Sequence, residues 1–304
     1  MSHIFDALQR SEAEEQGTSS PLTESTFSVA TELLEIAERK RRNLGEPAAA
    51  AGLRSKVERR PAPGILDEFP SLPINMTPES KLVALAKEES LGAEKFRYLA
   101  VRLRQLRQTR AIKKILITSS IPQEGKSTVS ANLACTLARR KQHKTLLLEG
   151  DLRRPTIAQR FGLGPVPGLS EWLRGETETM NIYRLQDLGL WVFPAGSAPE
   201  NALELMQSGR LPALMEQLTE WFDWIVIDSP PVLPLADTSI WARLADGVLL
   251  VTRKDVTEKK QLQRGLETIE KSKLLGAVVN GSTDTAHSDY YQRYAPAANS
   301  KTSR

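Results

Sequence analysis

Six short apolar runs, at residues 114–118, 145–149, 190–193, 224–228, 247–252 and 276–280, recur along the chain from residue 114 onwards, separated by stretches with helical spacing. The runs are apolar throughout rather than alternating, which is the pattern of strands buried on both faces. Strand and helix in alternation predict an α/β fold: a mostly parallel sheet covered by helices on both faces. Residues 82–86 and 91–106 carry helical spacing, with Phe96, Leu99 and Leu103 along one face, and residues 129–137 read as a further helix.

Before residue 80 the pattern dissolves. Ile4, Phe5 and Leu8 suggest a short amphipathic helix, and residues 17–28 are rich in Ser, Thr and Pro. Residues 31–44 have helical spacing, with Leu33, Leu34 and Ala37 on one side and Arg39, Lys40, Arg41 and Arg42 near the end, a solvated helix terminus favoured by the dipole. Residues 46–73, with repeated Ala, Pro and charge, read as a linker. The expected organisation is a largely disordered extension with short helices over 1–80, a folded domain over 81–282, and a flexible tail over 283–304.

Composition narrows the function classes. The chain has 304 residues, 40% of them apolar, and a net charge of +4 built from many charges of both signs, which does not imply nucleic-acid binding. Its one cysteine, Cys135, falls on the apolar side of a helix, which excludes a disulfide within the chain and reads as a core residue. No apolar run approaches the ~18 to 20 residues that span a bilayer, and the start lacks the order of a signal peptide. A cytoplasmic protein is expected.

The candidate chemistry begins where the first apolar run turns into Ser120-Ile-Pro-Gln123-Glu124-Gly125-Lys126-Ser127-Thr128 and then a helix. Strand, Gly-Lys-Ser turn and helix form a phosphate-binding loop: backbone N–H groups surround an anion, the lysine reaches the outer phosphates, and the serine hydroxyl can ligate Mg²⁺. The pattern expects glycine at both ends of the loop, and Ser120 stands where the first should be. Such a site needs carboxylates at neighbouring strand ends to hold Mg²⁺. Asp228 ends the run 224–228, and Glu149 and Asp151 lie two residues apart where the run 145–149 ends. Candidate catalytic residues are Lys126, Glu149, Asp151 and Asp228, and candidate metal ligands are Ser127, Asp151 and Asp228. Ser120, Gln123, Glu124, Gly125, Lys126, Ser127 and Thr128 are assigned to the nucleotide. Asn280, at the end of the last apolar run, is a candidate contact to the base edge or a strand-end turn asparagine.

These motifs together resemble the bacterial tyrosine kinases of capsule and exopolysaccharide systems, whose fold is shared with the partition and septum-site P-loop ATPases. The resemblance covers about residues 91–294 and rests on the loop, on Glu149-Gly-Asp151-Leu-Arg-Arg-Pro, on Ile-Asp228-Ser-Pro-Pro, and on a terminal cluster of Tyr290, Tyr291 and Tyr294. Ser120 is ordinary in that family. Ile121 replaces the second lysine of partition-type relatives and argues against a DNA-partition role. Residues 168–175 and 194–205 also resemble family segments, although neither carries chemistry by itself. Two positions depart from the pattern. Glu149 stands where the family has aspartate, and Ala100 stands where the subunit-contact helix, with Glu94 and Arg97, has a second arginine.

The resemblance implies an Mg-ATP-dependent protein tyrosine autokinase that regulates polysaccharide polymerisation or export. Asp151 or Glu149 would take the phenol proton, and Tyr290, Tyr291 and Tyr294 would be the phosphoacceptors. It also implies activation by a separate transmembrane chain-length-determinant protein, hence recruitment to the inner face of the plasma membrane through that partner, and a possible homo-oligomer that Ala100 puts in doubt. The alternative is a nucleotide-switched ATPase or scaffold of the export complex without tyrosine kinase activity.

Overall fold

A computed structural model describes residues 64–86, 89–140, 143–186 and 188–281. All of them fall in the second of two compact units, Glu58–Arg304; the first, Met1–Val57, lies outside the described residues, as do Tyr290, Tyr291 and Tyr294. Among the described residues the strands are β1 (Ser71–Leu72), β2 (Lys114–Ser119), β3 (Thr145–Glu149), β4 (Tyr183–Leu185), β5 (Leu190–Phe193), β6 (Trp224–Asp228), β7 (Gly247–Arg253) and β8 (Leu274–Asn280). The helices are α1 (Val83–Ala86), α2 (Leu91–Thr109), α3 (Lys126–Ala138), α4 (Ile157–Phe161), α5 (Leu169–Arg174), α6 (Ala202–Met206), α7 (Arg210–Trp221), α8 (Asp237–Leu244) and α9 (Lys259–Thr268).

The strands form one sheet in the order β1-β4-β5-β3-β6-β2-β7-β8. Neighbours from β5 to β8 are parallel, whereas β4 runs antiparallel to β5 and carries β1 parallel to itself at the edge. Side chains alternate across the parallel strands and pack in two cores. Leu116, Leu146, Leu148, Ile225 and Ile227 face α5–α8, while Ile115, Ile117, Leu147 and Val226 face α1–α4. The expected α/β layering is therefore present, and all six apolar runs are strands.

Two differences stand at the edges. The linker expected over 46–73 contains β1, and Leu66 is buried in the core, so the folded part starts ahead of the expected boundary. Ala100 is fully buried on the inner face of α2 with Ala93 and Leu103, so the position of the family's second arginine points into this core rather than outward.

One feature of the topology positions the site. The chain passes from β2 through α3 to β3 and leaves a gap that β6 later fills. Asp228 is consequently in register with Ile117 on one side and with Glu149 on the other. The phosphate-loop strand and the Glu149-Gly-Asp151 strand end on either side of it.

Candidate active site

The loop between β2 and α3 takes its shape from two left-handed residues, Gln123 (φ 67°) and Gly125 (φ 92°). Gly125 begins α3, and a Cβ at that position would lie 2.0 Å from Asn280 Nδ2, so both conformation and contact require glycine. The first-turn N–H groups of Lys126, Ser127 and Thr128 have no acceptor within their own helix, the condition for holding an anion.

Side chains of the loop brace it from within. Glu124 is fully buried; its carboxylate accepts from Ile121 N (2.8 Å) and from the Thr257 hydroxyl. Asn280 donates through Nδ2 to Glu124 O (3.0 Å) and accepts Gly281 N through Oδ1 (2.9 Å). Both ends of the Asn280 amide serve the backbone, the arrangement of a strand-end turn asparagine, and each end keeps one further donor or acceptor position that a base edge could use. Ser120 is likewise turned away from the loop mouth. It is fully buried, and a Cβ on Gly265 of α9 would come within 2.4 Å of its hydroxyl oxygen. Glu124 and Ser120 can meet a phosphate only through the backbone.

Three of the expected catalytic groups converge. Lys126 Nζ lies 3.0 Å from Asp151 Oδ2, with 14% and 5% of the two side chains exposed. Asp228 accepts the Ser130 hydroxyl through Oδ1 (3.0 Å), while its Oδ2 is buried with no hydrogen-bond partner among the described residues. Burial pushes the Asp228 carboxyl above its ordinary value, against the pull of Lys126 and of the Ser127 and Ser130 hydroxyls. Ser130, unremarked in the sequence, sits one helical turn after Lys126 and so faces the same strand end.

A buried carboxylate oxygen without a partner costs about 1–3 kcal/mol. A cation at this oxygen would remove that cost, as would a proton or a water. Asp151 and Asp228 place two carboxylates beside the loop, and Mg²⁺ commonly takes one or two and completes its shell with water and phosphate oxygens.

Glu149 differs from these three. It is 1% exposed, and both of its oxygens are taken. Oε1 accepts from the backbone N–H of Thr156 and of Ile157 (2.7 Å), and Oε2 accepts from Ala195 N (2.9 Å). Burial lifts it to about 7 despite those three donors, and nearby Asp228 adds to the rise. The carboxylate considered for the phenol proton is engaged with the backbone through both oxygens.

No family model matches the chain. The tyrosine-protein kinase YwqD of Bacillus subtilis (strain 168) is 34% identical over 215 residues, covering 70% of this chain and 90% of that protein. The putative tyrosine-protein kinase CapB of Staphylococcus aureus is 34% identical over 220 residues, 71% of this chain and 95% of that one. The chain belongs to the bacterial tyrosine kinase family.

Solved structures are similar to this chain as well. The kinase matches the chimerical protein CapA2B2 with a TM-score of 0.62 and 32% identity, over 69% of this chain and 93% of that one. It matches the kinase domain of Escherichia coli tyrosine kinase ETK with a TM-score of 0.60 and 27% identity, over 67% and 82%. No helix among the kinase's described residues is long and apolar enough to cross a membrane.

Proposed function

We propose that this kinase is an Mg-ATP-dependent protein tyrosine autokinase acting on Tyr290, Tyr291 and Tyr294, and that it regulates capsule or exopolysaccharide polymerisation or export. The observation that carries the proposal is the meeting of Lys126, Asp151 and the partnerless Asp228 oxygen beside the N-terminus of α3.

In this reading the loop N–H groups hold the phosphates and Lys126 exchanges Asp151 for a γ-phosphate oxygen. Ser127, Asp151 and Asp228 are the residues that would hold Mg²⁺. Mg²⁺, when bound, neutralises charge on the transferring phosphoryl group and aligns it. Asp151 then takes the proton of a tyrosine hydroxyl, whose ordinary pKa near 10 makes the neutral phenol a poor nucleophile. The phenol oxygen bonds to the γ-phosphorus as the bond to the β-phosphate oxygen breaks, giving phosphotyrosine and ADP. Both Glu149 oxygens are held by backbone N–H groups, whereas Asp151 Oδ2 is held only by Lys126, which leaves it for the phosphate in this reading; Asp151 is therefore the better base. The resemblance to capsule and exopolysaccharide kinases carries the further proposal of a separate membrane-adaptor partner for this chain.

The test is incubation with labelled ATP and a cytoplasmic peptide from such an adaptor, followed by intact mass measurement. Stepwise phosphate additions confined to 290–294, and lost in Lys126→Met, are expected. Phosphate release without phosphotyrosine would instead make the protein a nucleotide-switched scaffold.

A further inference from the structure

Seven residues, 150–156, separate the end of β3 from the start of α4, and they carry Asp151. At the near end of this turn Gly150 donates to Asp228 O (2.6 Å) and accepts the Trp241 indole N–H (3.0 Å). A Cβ on Gly150 would come within 2.6 Å of the Trp241 ring, so the glycine is part of that fit. Within the turn Asp151 Oδ1 accepts Arg154 N (3.1 Å), which leaves Oδ2 directed at Lys126.

The far end is closed by the side chain that precedes the turn. Oε1 of Glu149 takes the N–H groups of Thr156 and Ile157, and Oε2 reaches to Ala195, beyond β5. Ala195 belongs to one of the two family segments with no chemistry of their own, and the other is docked on it. Leu169 N donates to Pro194 O and Ser170 N to Ala195 O, both at 2.8 Å. Glu171 accepts Gly168 N (2.7 Å) and Ser197 N (3.0 Å).

We propose that Glu149 is a positioning residue for Asp151: one carboxylate ties the start of α4 to the 194–197 segment and its α5 buttress, and thereby sets where the Asp151 turn lies. The extra methylene relative to the family's aspartate is what gives this reach. An aspartate at 149 is shorter by one C–C bond, about 1.5 Å, and cannot meet Thr156 and Ile157 on one side and Ala195 on the other. The role assigned to Asp151 rests on the kinase reading above; the tie itself does not.

Glu149→Asp and Glu149→Gln separate this from a reacting carboxylate. Aspartate keeps the charge and restores the family residue but loses the reach, whereas glutamine keeps the reach and one acceptor oxygen. Tyrosine phosphorylation kinetics are measured on the full chain with adaptor peptide, Mg²⁺ being titrated alongside. Amide hydrogen exchange at Thr156, Ile157 and Ala195 is followed by NMR, with melting curves for each variant. The expected order of kcat is parent, then glutamine, then aspartate. The aspartate variant should fall at least tenfold in kcat, with KM for ATP changed less than threefold and the half-saturating Mg²⁺ concentration raised. The three amides should exchange at least tenfold faster in it. Aspartate equal to or better than glutamine in kcat, or lost activity with the three amides still protected, overturns the proposal. If the parent transfers nothing to tyrosine, the kinase reading fails; the amide order and Mg-nucleotide affinity still test the tie.

Discussion

Glu149 and Asp228 end adjacent parallel strands, stand opposite each other in register, and are both lifted by burial above the ordinary carboxylate value. What meets their oxygens is different. At the end of β3 three backbone N–H groups occupy both oxygens; at the end of β6 one oxygen takes a serine hydroxyl and the other takes nothing among the described residues. A motif that groups strand-end acids by spacing cannot separate these roles. A carboxylate saturated by backbone donors fixes geometry, and one left short of donors is prepared for a cation or a phosphate-bound metal.

The largest effect should come from the β6 end. Asp228→Asn is expected to lower phosphoryl transfer by roughly a thousandfold or more while leaving the melting temperature unchanged or higher, because it removes a carboxylate whose burial outweighs the pull of Lys126 and the serine hydroxyls. A clear drop in melting temperature would mean that Asp228, like Glu149, holds the fold. Ligand-induced stabilisation tests the same contrast. Mg-ADP at a hundred times its Kd should stabilise the parent by about 2.7 kcal/mol, nearly vanish in Asp228→Asn, and persist in Glu149→Gln. Equal shifts in both variants would erase the distinction.

Gly168→Ala probes the β3 end from a distance. Its Cβ would lie 2.1 Å from Pro194 O, next to the Ala195 that Glu149 holds. A loss of about 1–3 kcal/mol in stability and a several-fold fall in kcat are expected, with ADP affinity little changed.

The smallest effect is in pH. Glu149 has a folded value near 7 against an ordinary 4.5, so the stability it contributes is present at low pH and lost as pH rises through 7. Glu171 grips the same segment but is more exposed. Burial raises it, yet the Ser197 hydroxyl and the N–H groups of Gly168 and Ser197 outweigh that and hold it below the ordinary value. Its contribution is present above pH 4.5 and lost as pH falls below. The melting difference between parent and Glu149→Gln should shrink by a few degrees from pH 5 to pH 8, and that for Glu171→Gln should shrink only in acid.

The parallel sheet was legible because strands buried on both faces must be apolar throughout. The short strands β1, at the edge, and β4 beside it, two and three residues long, leave no such run, and β1 therefore read as linker. Lys126, Asp151 and Asp228 were legible because each lies at a strand end or a helix start, where local sequence decides direction. Glu149 and Asn280 were not, since their partners Ala195 and Glu124 lie 46 and 156 residues away. Ser120 likewise owes its orientation to space left by Gly265. Local spacing carries no information about such partners.

Asn280 also fixes the start of a tether. It is hydrogen-bonded to the phosphate loop, and Tyr290 follows it by only ten residues. A fully extended chain of that length spans at most about 33–36 Å. On the proposed reading, in which Tyr290 is an acceptor, chain length alone keeps its backbone within that distance of its own phosphate loop.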